Sequence, residues 1–197
     1  MSMEATINAE SGRVPIRSNG LFGMVSFSPV DLAEANVMLE MWGHKMGGLH
    51  RGNQGAWCHA LTHEGEAVGI VTASTLIMPR VGGAGWLTRE NCVELSRLAA
   101  SREGLCRVVL RLWREFVFPS LGYKWAVSYS DNAIHRGELY RCDGWQKVAQ
   151  ARSGTDTRSG RPGRKKSVWV WPRKDIPLPN VKDQLSRESA HEHEDKP

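Results

Sequence analysis

Apolar positions along this chain recur in two rhythms, a period of two and a period near 3.6, and their succession lays out the elements. The strongest signal is helical: Leu105, Val108, Val109, Leu112, Trp113 and Phe116 fall at i, i+3, i+4, i+7 spacing. Arg107, Arg111 and Arg114 take the other side, and Pro119 is expected to end the helix. An earlier helix is predicted from Ser28-Pro29-Val30-Asp31, with Ser28 as N-cap and Pro29 at the first helical position. Its stripe is Leu32, Ala35, Leu39 and Trp42, and it stops near Gly43, Gly47 and Gly48.

Strand rhythm fills the rest. Leu21 to Phe27 reads as a first strand. Trp57–Thr62 and Ala67–Thr75 read as a hairpin turning through His63-Glu64-Gly65-Glu66. Asn91–Leu98 follows a glycine-rich loop (Gly82, Gly83, Gly85), with Val93 and Leu95 inward. Trp125, Val127 and Tyr129 alternate with Ala126, Ser128 and Ser130 in the next strand. Asp131-Asn132 breaks that alternation and can cap a short helix, which Gly144 ends. Ser167–Trp171 is the last strand.

The order is strand, helix, a meander of strands, helix, strand, short helix, strand. It predicts one α/β (α+β) domain with a mixed, mostly antiparallel central sheet flanked by helices. Residues 1–20 are polar and aperiodic and are read as a flexible arm; 21–174 form the domain, and 175–197 a proline-containing, acid-rich tail read as disordered.

Composition adds modest bounds. An apolar share of 41% over 197 residues suffices for one core. No apolar run approaches the ~20 residues of a membrane helix, so no membrane partner is expected. Cys58, Cys92, Cys106 and Cys142 stand singly, which points to a reducing, cytoplasmic setting without zinc or disulfides. His59 and His63 are read as polar residues of turn and strand surface rather than metal ligands.

Charge is more telling. The net charge is +5, and residues 150–166 hold Arg152, Arg158, Arg161, Arg164, Lys165 and Lys166 against Asp156 alone. That basic loop carries the whole surplus. Such a block solvates a loop or meets a polyanion; glycine and serine between the cations let the backbone follow phosphates.

Two places could carry chemistry. The passage from Leu98-Ala99 through Arg102 and Gly104 into Leu105-Cys106 opens a helix after a strand, where free N–H groups and a positive dipole end could seat a pyrophosphate. Around the end of the Trp125 strand, Ser128, Asp131, His135 and Tyr140 gather polar groups. Asp131 and His135 could accept a proton, and if both lie on the short helix they share a face. Against these stand plainer roles: Asp131 as a cap, His135 as a hydrogen-bonder, Tyr140 as a core aromatic, and Arg97 as half of an ion pair rather than an acid-binding or phosphate-binding group.

The element order over residues 21–172 resembles the GCN5-related N-acetyltransferase (GNAT) fold, and Leu139-Tyr140-Arg141-Cys142-Asp143-Gly144-Trp145 resembles that superfamily's Tyr-x-x-x-Gly-aromatic signature. The resemblance implies an acetyl-CoA or related acyl donor, with the tyrosine protonating the departing thiolate. The chain departs from it in the pyrophosphate loop, where Arg102-Glu103-Gly104-Leu105-Cys106-Arg107 replaces the usual Gln/Arg-x-x-Gly-x-Gly/Ala.

Residues 90–150 are also similar to the phage Mom-type DNA-modification proteins, through Glu94-Leu95-Ser96-Arg97-Leu98, Val127 to Asp131, His135-Arg136-Gly137 and Tyr140 to Trp145. That likeness implies a transferase altering adenine N6 in phage DNA by carbamoylmethylation, an anti-restriction device. Catalysis would then fall to Asp131, Tyr140, Ser128 and His135, and DNA contacts to Arg97 and the basic loop. A conventional acyl-CoA-dependent N-acetyltransferase acting on a small-molecule or protein amine, and a non-catalytic DNA-binding protein, are the alternatives. The oligomeric state is open, a homodimer included.

Overall fold

The computed structural model describes residues 16–20, 23–50, 55–152, 154 and 163–174. They fall into two compact units, Met1–Ile77 with Val93–Tyr123, and Met78–Cys92 with Lys124–Pro197. Every strand pairing within each unit is antiparallel, and helices cover the strands, in accord with the α/β class read from the sequence.

In the first unit, β1 (Ile16–Gly20), β2 (Gly23–Val30), β3 (Ala56–His63), β4 (Glu66–Thr75) and β7 (Cys92–Ala100) pair in that order. The β3–β4 hairpin turns at Glu64-Gly65, as its alternation and glycine predict. β1 corrects the sequence reading, which placed Ile16–Gly20 in the polar arm; here they pair with Gly23–Phe27.

The first helix, α1 (Leu32–Met41), starts three residues later than predicted. Its N-cap is Asp31, whose carboxylate accepts from the Glu34 N–H at 2.7 Å, and Ser28-Pro29 continue β2. Pro29 stands opposite His59 in the ladder with β3. Ala35, Met38 and Leu39 of α1 bury against Cys58 and Ala60 of β3, Ile70 of β4 and Ala99 of β7.

α2 (Leu105–Leu112) lies on the opposite face, because Gly69 neighbours Ile70 and successive strand residues face opposite ways. A Cβ on Gly69 would stand 2.5 Å from Val109 Cγ2, so only glycine admits the helix this closely. Past Leu112 the helix widens into one π turn, Trp113–Val117, then a 3-10 turn, Phe118–Leu121, in which Pro119 sits near the start. Val109, Leu110, Trp113, Arg114 and Val117 are buried and Val108 is exposed, so the inward side lies one position on from the sequence stripe, which put Val108 and Phe116 inward and Arg114 outward.

The second unit holds a small hairpin, β5 (Arg80–Val81) with β6 (Ala84–Thr88), and a three-stranded sheet. There β8 (Trp125–Asp131) and β9 (Gln146–Arg152) flank β10 (Lys165–Pro172), and α3 (Glu138–Cys142) precedes β9. β9 takes the first residues of the expected basic loop into the sheet, and β10 begins at Lys165 rather than Ser167. Ala126, Val127, Val168 and Val170 are fully buried, and Trp86 meets Trp125 edge-on at 5.2 Å. No described helix is long and apolar enough to cross a membrane.

Candidate active site

Polar side chains of the second unit gather at the end of β8. Ser128 and Ser130 point to one side of that strand, and in the register of β10 they stand opposite Trp169 and Ser167. The backbone then turns through Asn132–Ile134, held by Asp131: its carbonyl accepts from the N–H groups of Ile134 and His135, and Oδ1 accepts from the Ala133 N–H at 3.1 Å. That turn delivers the chain to Gly137, where α3 begins. Tyr140 lies one turn into α3, and its phenol meets the Ser128 hydroxyl at 2.8 Å.

The phenol is held from several sides. Its ring stacks on the Trp169 indole, with centroids 5.8 Å apart and planes 25° from parallel, and meets Trp145 edge-on at 5.4 Å. Trp169 is anchored by its own N–H, which donates to Ser130 Oγ at 2.9 Å. Trp145 is anchored likewise, donating to the buried Asp143 carboxylate at 3.1 Å. Ser128 is buried and Tyr140 half-buried, so the hydroxyl pair joins the interior to the surface.

Asp131 and His135 do not share a helical face, because neither lies in α3. Asp131 ends β8, and its Oδ2 accepts from Arg164 at 2.8 Å in a partly buried ion pair. Both carboxylate oxygens thus already serve the turn and the cation. His135 is exposed.

The predicted pyrophosphate seat belongs to the first unit. Leu98 and Ala99 are in β7, and the Ala99 side chain is core beneath α1. The turn after β7 is tied to β4 by the Ser101 N–H on the Val68 carbonyl, 3.0 Å. Arg102 is exposed, and Gly104 caps α2 with no side-chain hydrogen bond and no acid in the first turn. An anion at those amides would meet no carboxylate inside the helix and would find Arg102 and Arg107 beside it. Cys106 is half-buried, and burial raises its thiol pKa. Arg97 donates to the Gly47 and Ser96 carbonyls at 3.1 and 2.8 Å.

Of the basic loop, Arg158 and Arg161 lie outside the described residues. Arg152 and Lys165 stand opposite each other across β9 and β10, both exposed. Lys166 rests over the Tyr129 ring at 5.9 Å, and Arg164 holds Asp131. His59 corrects its reading as a surface residue: it is 2% exposed beside Phe27, and burial lowers its pKa to about 4. Among the described residues no group of three or more metal-ligating side chains occurs. Sequence reasoning missed Trp169, Ser130 and Gly137 as supports of Tyr140; the alternation of Trp169 and Trp171 was the available signal.

No family model matches the chain, and no curated protein matches it. Solved structures do. A probable acetyltransferase of the GNAT family from Chromobacterium violaceum aligns with 87% of this chain and 97% of its own, at a TM-score of 0.56 and 13% identity. The ribosomal-protein-S18-alanine N-acetyltransferase of Escherichia coli aligns with 79% of this chain and 100% of its own, at 0.52 and 14%. NAA60 of Arabidopsis thaliana, solved with acetyl-CoA, aligns with 75% and 98%, at 0.54 and 9%. At such identities the likeness establishes the fold: this chain has the fold of the GNAT acetyltransferases.

Proposed function

We propose that the chain is an N-acyltransferase that moves an acyl group from an acyl-CoA thioester to a primary amine. The observation that carries the reading is the Tyr140 phenol, placed by Ser128 and two indoles just past the end of β8 in an acetyltransferase fold. A thioester supplies a carbonyl carbon that an amine nitrogen can attack, with a thiolate as leaving group. Tyr140 Oη gives the thiolate a proton when the C–S bond breaks, Ser128 Oγ orients the phenol, and the proton the amine nitrogen loses on becoming an amide passes to solvent, from which the phenolate is reprotonated. In the first unit, the first turn of α2 holds no acid and has Arg102 and Arg107 beside it, with Glu103 just ahead of its cap, and this reading seats the pyrophosphate there. Release of free thiol from acetyl-CoA, followed with a thiol-reactive dye across a panel of amines, tests the reading. No acyl transfer to any amine, together with no stabilisation by acetyl-CoA, would remove it.

A second reading places the amine on a nucleic acid, as adenine N6 in DNA. It is favoured by the exposed Arg152–Lys165 pair, two cations at one register position of a strand pair that also carries Lys166. In that case neutralising Arg152 and Lys165 weakens DNA binding and flattens its salt dependence, and nucleosides from DNA of expressing cells carry a mass addition on adenine. Binding that ignores salt between low and physiological concentration counts against it.

A further inference from the structure

We propose that a second site, which shares Arg102 and the start of α2 with the pyrophosphate seat of the acyl-transfer reading but does not rest on that reading, binds an amphipathic monocarboxylate with a medium-length apolar chain. It is a cavity of about 500 Å³ in the first unit, between α2 and the face of β2, β3 and β4. That volume is in the range of small-ligand sites, roughly 300–1,000 Å³. Val25, Phe27 and Leu61 form its floor, and Leu105, Val108 and Leu112 form its wall.

Polarity in the cavity is graded from end to end. Thr62, His63, Arg102 and Glu103 all line it, and all belong to one end. Thr62 pairs with Ala67 beside the β3–β4 turn, and the Ser101 N–H bonds to Val68, which brings the Arg102 turn against that same turn. Phe27, opposite Leu61, lies two pairs along the β2–β3 ladder from His63, and Leu112 lies at the other end of α2 from Leu105. From Leu105 to Leu112 the wall runs roughly 10 Å at the rise of an α-helix. A ligand matching these surfaces has an apolar chain about that long and a polar head at the mouth.

Charge narrows the head group. Arg102 is exposed and, among the described residues, has no ion-pair partner, so it can take a carboxylate. Glu103 at the same mouth repels a second negative charge, which favours a carboxylate over a phosphate. Val108 is 46% exposed although it lines the apolar wall, so this helix face is left without a protein cover among the described residues.

The test uses the full chain and a series of probes: octanoate, decanoate and dodecanoate, with decanol and decyl phosphate as controls. Thermal unfolding and calorimetric titration are read together. A saturable rise in Tm that grows from octanoate to decanoate is expected, with decanoate binding at least tenfold tighter than decanol or decyl phosphate. Val108→Trp, which fills the cavity from its open side, should abolish the effect while circular dichroism stays native. Arg102→Gln should erase the preference for decanoate over decanol. The proposal is overturned if no probe saturates, or if Val108→Trp binds decanoate as the parent does. It is equally overturned if the parent self-associates, Val108→Trp makes it monomeric and no carboxylate binds, for the cavity is then a seam between copies.

Discussion

The indole of Trp169 occupies the space that a side chain on Gly137 would need: a Cβ there would stand 2.2 Å from Trp169 Cζ2. Gly137 also has φ +76°, a left-handed conformation that costs other residues about 1–2 kcal/mol. Gly137→Ala is therefore expected to lose about 3 kcal/mol or more in a urea titration, strain and overlap together. Because the displaced indole is the plate on which Tyr140 stacks, acyl transfer should fall with it. A Gly137→Ala variant as stable as the parent would mean that Trp169 does not sit over this turn.

Tyr140→Phe keeps the stack on Trp169 and removes only the hydroxyl. If that hydroxyl gives its proton to the leaving thiolate, kcat should fall roughly a hundredfold or more, while acetyl-CoA still stabilises the fold. Ser128→Ala should fall less, since water can replace an orienting partner, and should broaden the pH profile rather than abolish turnover. Equal and small losses in both variants, with the profile unmoved, would leave the pair as packing alone.

Much of this architecture was legible from residue order, and its failures are local. The β3–β4 hairpin was readable because alternation on both sides leads to Gly65, and α2 because apolar residues recur at helical spacing. The side it buries is one position off: Leu110 is buried and Val108 exposed, since aliphatic residues stand at both places and spacing does not choose between them, and so Arg114 came out on the wrong side. β9 escaped notice because Lys147, Gln150 and Arg152 give a polar strand with Val148 as its main buried residue. Ser28-Pro29 imitates a helix start, yet Asp31 has the carboxylate at the right distance from Glu34. At the site, Tyr140 was legible from the Gly144-Trp145 pattern that follows it. Its supports were not, because Ser130 and Trp169 are 39 residues apart and only the β8–β10 register brings them together.

The Asp131–Arg164 pair separates two roles for one carboxylate. With both oxygens engaged, Asp131 is expected to act through structure: Asp131→Asn and Arg164→Ala should each lose about 1–2 kcal/mol, and the double variant little more than the larger single loss. The pH profile of kcat/KM should keep its shape in both. A hundredfold fall in kcat for Asp131→Asn at native stability, with Arg164→Ala unaffected, would instead make the carboxylate the proton acceptor.

His59 should make the protein sensitive to acid. Both ring nitrogens are buried and have no hydrogen-bond partner among the described residues, and burial lowers the pKa from 6.5 to about 4. The unfolded chain therefore binds this proton more readily than the folded one between those two values. Stability from keeping His59 neutral is complete above pH 6.5, declines as pH falls, and is gone below about 4. A shift of this size corresponds to about 3 kcal/mol over the window. His59→Phe, which keeps a ring beside Phe27 and cannot be protonated, should flatten the urea midpoint between pH 7 and pH 4.5 relative to the parent, whatever its stability at pH 7. Parallel acid losses in the two proteins would place the sensitivity elsewhere in the chain.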